Sequence, residues 1–188
     1  MAGRMGWASS MVGRTLEGQY RIDGILGEGA MGVVFRGVNL SMDKAVAIKM
    51  MRKETFDTPD AVERFKREAR VWSQLNHPAI TQVFDFGIQD GMLFLVMELV
   101  DGLDLSDVLK QEGALKPLRA ITLMRQLAAA LEEAHRLGVV HRDIKPHRVG
   151  TDADCAALVP QALHTDGIHS QNPAGRYCGW QESAAPSR

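Results

Sequence analysis

The sequence predicts an α+β chain, with an antiparallel sheet and one helix first and a helical region after. Three observations lead there. Short β-rich runs separated by turn residues fill most of the first hundred positions. One amphipathic helix, from Thr58 to about Leu75, interrupts them. Near Gly102 the pattern changes from strands to helices, which marks a lobe boundary and places a cleft there.

Composition narrows the field before any motif is read. The 188 residues are 45% hydrophobic and 24% charged, with a formal net charge of −1, as in an ordinary globular protein. No Lys/Arg block points to nucleic acid or an anionic membrane. The apolar run from Met92 to Val100 contains Glu98 and is too short to span a bilayer. Two cysteines, Cys155 and Cys178, make no disulfide framework and suit a reducing cytoplasm. Residues 1–19 lack a secretory signal and read as a loose leader, with Met11 as an alternative start.

The elements follow in order. Tyr20 to Leu26 and Val33 to Val38 are strands joined through Gly27-Glu28-Gly29-Ala30-Met31-Gly32-Val33. Alone, G-x-G-x-x-G fits a plain glycine-rich turn as well as a phosphate cradle. In a dinucleotide fold a helix would follow it; here a strand does. Glycines at these places let backbone N–H groups approach phosphate oxygens.

Ala45 to Met51 is a third strand. Its Lys49 sits in an apolar run and calls for an anionic partner, because burying a lone ammonium is costly. The helix that follows has Thr58 as N-cap, Pro59 in the first turn and Asp60 at the positive end of the dipole. Phe65, Trp72 and Leu75 share its apolar face, with Glu68 within the stripe as the candidate partner of Lys49, or else half solvated at its edge.

Ile80 to Phe86 and Met92 to Val100 form a hairpin across Gln89-Asp90-Gly91, completing a five-stranded antiparallel sheet. A short helix (about Leu105 to Gln111) ends at Gly113. A long one runs from near Pro117 to Gly138, with Ile121, Met124, Ala128 and Leu131 as its apolar face.

With His141-Arg142-Asp143-Ile144-Lys145-Pro146 the motifs become specific. Gly27-x-Gly29-x-x-Gly32-x-Val34, Val46-Ala47-Ile48-Lys49, Glu68 and His141-Arg142-Asp143 stand in the order and spacing of the protein-kinase signature set. From Tyr20 to Pro146 the chain resembles the eukaryotic-like serine/threonine protein kinases of bacteria. Lys145 resembles the Ser/Thr branch, and the loop speaks against a small-molecule phosphotransferase on the same fold.

The resemblance implies a two-lobed fold: a complete N-lobe at about 20–100 and a partial helical C-lobe at about 101–150. It implies ATP, Mg2+ and a protein substrate. Gly27 to Val33 would cover the phosphates, with Leu26 and Val34 against the adenine and Ala47 lining its pocket. Lys49 would hold the α- and β-phosphates, itself held by Glu68. Met97 resembles the gatekeeper, and the backbone of Glu98 and Val100 would bond adenine. Asp143 would accept the substrate proton and Lys145 would neutralise the γ-phosphate.

The family pattern then stops. The family's magnesium-binding asparagine, five after the catalytic aspartate, is here Arg148, and a guanidinium repels a cation. Val149 and Gly150 replace the apolar floor of the adenine pocket, and no Asp-Phe-Gly or Ala-Pro-Glu follows the loop. Cys155, His164, His169 and Cys178 lack the spacing of a zinc site. Residues 151–188 read as an irregular tail, and kinase-derived sequence is expected to have been cut near Pro146. The apolar face of the long helix is then left open, inviting association and low cooperative stability.

Overall fold

The computed structural model describes residues 3–29, 32–52, 58–100, 102–141, 144–152 and 155–159. Six strands form the main sheet: β1 (Thr15–Leu16), β2 (Tyr20–Gly29), β3 (Gly32–Asn39), β4 (Lys44–Met51), β5 (Val83–Gln89) and β6 (Met92–Glu98). They are ordered β1-β2-β3-β4-β6-β5, and every neighbouring pair is antiparallel. The five predicted strands are present, and β1 adds a sixth from within the expected leader.

The sheet curls until its two edges meet. Tyr20 Oη on β2 donates to Asp85 Oδ2 on β5 at 2.9 Å, and the Glu17 N–H donates to Gln89 Oε1 at 3.2 Å. Val33, Phe35, Ile48, Met50, Phe94 and Val96 fill the enclosed face and are fully buried.

Helix α1 (Gly3–Met11) lies against that same face. Ala8 and Met11 are buried, and Trp7 meets Phe35 edge-on at 6.3 Å. The segment expected to be a loose leader is therefore packed structure. Burial of Met11 and Leu16 ties it down, and backbone bonds between Gly13, Arg14 and Ile22 anchor its exit.

The other face of the sheet carries Val34, Ala47, Met51, Leu93, Leu95 and Met97. Against it packs α2 (Pro59–Ser73) through Phe65, Ala69 and Trp72. Thr58 caps α2 by accepting from the Ala61 N–H at 3.3 Å, a contact of the kind that contributes about 1 kcal/mol. The β5–β6 turn is tight, with positive φ at Asp90 (53°) and Gly91 (73°).

Beyond the sheet come β7 (Leu103–Asp104), α3 (Leu105–Glu112) and α4 (Pro117–Arg136). Gly113 and Gly138 end the two helices at φ 78° and 74°. Helix α4 buries Leu123, Leu127, Ala130 and Ala134. The expected face is turned the other way: Ile121 and Met124 are 57% and 62% exposed, Ala128 is exposed and Leu131 is half-buried. The helix has apolar residues on two sides, and the Leu123 side is the one that meets the core.

After Pro146 the fold continues. A 3-10 turn (Pro146–Arg148) leads into β8 (Val149–Asp152) and β9 (Cys155–Leu158), which form a small sheet with β7. Val149, Ala156 and Leu158 are buried. Residues 151–152 and 155–158, expected in an irregular tail, are thus strand residues of the packed domain. Small residues let β9 fit between α4 and the segment before β5, where Leu158 bonds to Ala79 and Thr81.

A cleft between sheet and helices

The glycine hairpin closes with Gly29 opposite Gly32. A Cβ at Gly32 would lie 2.1 Å from the Met50 carbonyl oxygen, so only glycine lets β3 come this close to β4. Two residues on, Val34 stands opposite Lys49. Lys49 is fully buried and shares the α2-facing side of β4 with Ala47 and Met51. Leu26 packs against the same cluster. Gly27 and Glu28 pair with Val34 and Val33, while Ala30 and Met31 lie outside the described residues.

Glu68 is not in the packed stripe of α2. It is exposed, and Ala69 takes the central position between Phe65 and Trp72. Among the described residues no ion pair joins Glu68 to Lys49; the pair that α2 forms is Lys66–Glu63, at 2.8 Å on the solvent side. Glu68 stands one residue short of the face that touches the sheet, so its carboxylate turns to water.

At the rear of the cleft Met97 is buried, and the Glu98 N–H donates to the Gln82 carbonyl at 2.9 Å. The Gln82 N–H returns a bond to Glu98 Oε2 at 3.3 Å, fixing the strand end where the chain leaves the sheet. Val100 reaches across to β8: a Cβ on Gly150 would stand 3.1 Å from Val100 Cγ1. The Val100 side chain thus occupies the space above β8 that a larger residue at 150 would fill.

Asp143 and Arg142 lie outside the described residues. Their neighbours are placed. Lys145 is exposed, with extended backbone. His141 is buried, and its Nε2 lies 2.8 Å from the Val159 carbonyl oxygen. Its ring also meets Trp72 of α2. The motif signalled His141 only as a flank of Asp143, whereas the fold makes it a junction of α2, β9 and the loop.

At the sequence position where the family binds magnesium, this chain carries a cationic residue type. Arg148 takes the position of the family's neutral ligand, and the atom that meets His141 just after β9 is the main-chain carbonyl oxygen of Val159. Among the described residues no group of three or more His, Cys, Asp or Glu could hold a metal. The sequence contains one Asp-Phe-Gly, at Asp85 to Gly87, but it lies in β5. There Asp85 binds Tyr20, and a Cβ on Gly87 would meet the Phe94 ring at 2.6 Å. That triplet serves sheet closure.

This architecture, a curled sheet with one helix joined to a helical part through a cleft, is that of a protein kinase. The protein kinase domain model matches residues 20–153. The chain belongs to the eukaryotic-like serine/threonine protein kinases of bacteria. Serine/threonine-protein kinase pkn3 of Myxococcus xanthus is 44% identical, across 94% of this chain and 34% of that protein. Serine/threonine-protein kinase PrkC of Bacillus subtilis is 36% identical, across 76% of this chain and 22% of that one. The crystal structure of the Mycobacterium tuberculosis PknI kinase domain superposes with a TM-score of 0.71 at 31% identity, covering 81% of this chain and 61% of that one. The chain thus spans about a third or less of the length of these two curated relatives. No described helix is long and apolar enough to cross a membrane.

Proposed function

We propose that this chain binds ATP in the cleft, and that its transfer of the γ-phosphate to a protein Ser/Thr hydroxyl is weak or absent. The observation that carries nucleotide binding is the buried Lys49, opposite Val34 and two register positions from the closing Gly32 of the glycine hairpin. A cation held there, beside a backbone whose glycines allow close approach, is suited to phosphate oxygens. Leu26, Val34 and Ala47 offer the adenine an apolar wall, and the backbone of Glu98 and Val100 offers it hydrogen bonds.

Asp143 and Lys145 keep the residue types that receive the substrate proton and neutralise the γ-phosphate. Against transfer stands Arg148. Phosphoryl transfer depends on positioning and charge neutralisation, and a guanidinium in the sequence position of a metal ligand opposes binding of a divalent ion.

Calorimetric titration with ATP, alongside γ-phosphate transfer to a generic protein substrate, tests both halves. ATP binding with transfer no greater than that of Asp143→Asn is expected. No ATP binding overturns the first half; metal-dependent transfer that Asp143→Asn abolishes overturns the second.

A further inference from the structure

One ion pair lies across the glycine hairpin. Glu28 of β2 pairs with Arg52, the residue after β4, through Oε1 and a terminal guanidinium nitrogen. β3 runs between them, since β2 and β4 are its two neighbours in the sheet. Glu28 stands opposite Val33, and Val33 stands opposite Met50. The pair therefore crosses β3 at its first residues, where Gly32 presents no side chain and lies hard against Met50.

Neither group is well solvated: the side chains are 18% exposed for Arg52 and 30% for Glu28. Their face is that of Val33 and Met50, enclosed by the curl. Lys49 is on the opposite face, with Ala47 and Met51. Arg52 is thus turned away from the phosphate path and cannot act there as a ligand.

We propose that Arg52 is a positioning residue for nucleotide phosphates: its bond to Glu28 holds the glycine-flanked end of β2 in place beside the strand that carries Lys49. Gly27 and Gly29 on either side of Glu28 give this strand end few conformational restraints of its own. An ion pair that skips one strand ties β2 directly to the strand that carries Lys49. Partial burial makes this pair stronger than an exposed one, because water screens it less. The inference rests on the ATP-binding reading above. Its signature is selective: on the ATP-binding reading the phosphates would lie by this glycine-rich strand end, whereas adenosine would touch only the walls further in.

The test is calorimetric titration of the intact chain with ATP and with adenosine, in wild type, Arg52→Gln and the exchanged pair Glu28→Arg/Arg52→Glu. Arg52→Gln is expected to weaken ATP about fivefold, the size of a partly screened ion pair. Its adenosine affinity stays as in wild type, and the exchanged pair recovers most of the ATP loss. Equal ATP affinity in wild type and Arg52→Gln overturns the inference. So does a parallel loss of adenosine binding, or an exchanged pair no better than Arg52→Gln. Wild type that binds neither ligand sinks the ATP-binding reading instead, which separates the two failures.

Discussion

The indole of Trp72 meets the imidazole of His141 edge-on, with ring centroids 6.1 Å apart and planes at 87°. Trp72 belongs to α2 on the sheet, and His141 opens the loop that carries Asp143. The imidazole also reaches the Val159 carbonyl oxygen at 2.8 Å. One buried ring therefore couples three segments distant in sequence. Truncating Trp72 to alanine removes a side chain only 5% exposed. The expected loss is about 3–5 kcal/mol of stability, read by urea unfolding. That is a large share of the roughly 5–15 kcal/mol holding a typical domain. His141→Phe keeps the ring contact and loses the bond to Val159, with an expected cost of about 1 kcal/mol.

The phenol of Tyr20 fixes a pH window. Its pKa is pushed up to about 12, first by burial and then by the bond it donates to Asp85. A free tyrosine ionises at 10.0. A raised folded-state pKa favours the protonated form, so the contribution is full below pH 10 and is lost as pH climbs toward 12. Tyr20→Phe should be about 1 kcal/mol less stable than wild type at neutral pH. Chemical denaturation at stepped pH should show that gap closing above pH 10.

Lys49 and Glu68 should separate in a binding assay. Lys49→Met removes the buried cation from the phosphate path, and ATP affinity is expected to fall about tenfold or more. Glu68→Ala removes an exposed carboxylate, and ATP affinity and stability should change little, by about 0.5 kcal/mol at most. Equal damage from both would show that α2 swings Glu68 inward when nucleotide binds.

Leu118, Ile121 and Met124 line α4 on the side away from the core and are 77%, 57% and 62% exposed. An apolar stripe of this kind promotes association. Sedimentation velocity across a concentration series should show self-association in wild type. Ile121→Lys with Met124→Lys should suppress it, at little cost in folding, because neither side chain is buried.

The parts of the fold that announced themselves in the sequence are those whose local signals agree with their tertiary role. The strands alternate, Thr58 and Pro59 open α2, and Gly113 and Gly138 close α3 and α4. Where two solutions were locally equal, only packing chose. On α4 the faces of Leu123 and Ile121 are both apolar, and contact with β9 selects the first. On α2 the small Ala69 gave no hint that it displaces Glu68 from the middle of the stripe. Helix α1 and strand β9 are built largely of small residues whose partners, Phe35 and Ile80 among them, are far along the chain. In the candidate site, the glycines and Lys49 were legible as motif. The junction at His141 and the Glu28–Arg52 pair were not, since both join segments that no short window contains.

Strand β9 has a mechanical consequence. On one side it is zipped to Ala79 and Thr81, just before β5; on the other, the Ala156 N–H donates to Gln126 Oε1 on α4. Opening the cleft wide along this edge would require breaking main-chain bonds, and at its rear the chain itself passes from sheet to helices beyond Glu98, next to β7, which is paired with β8. The two halves of the molecule are therefore joined like a book bound twice, by the chain itself beyond Glu98 and by β9, so any swing between them should be small.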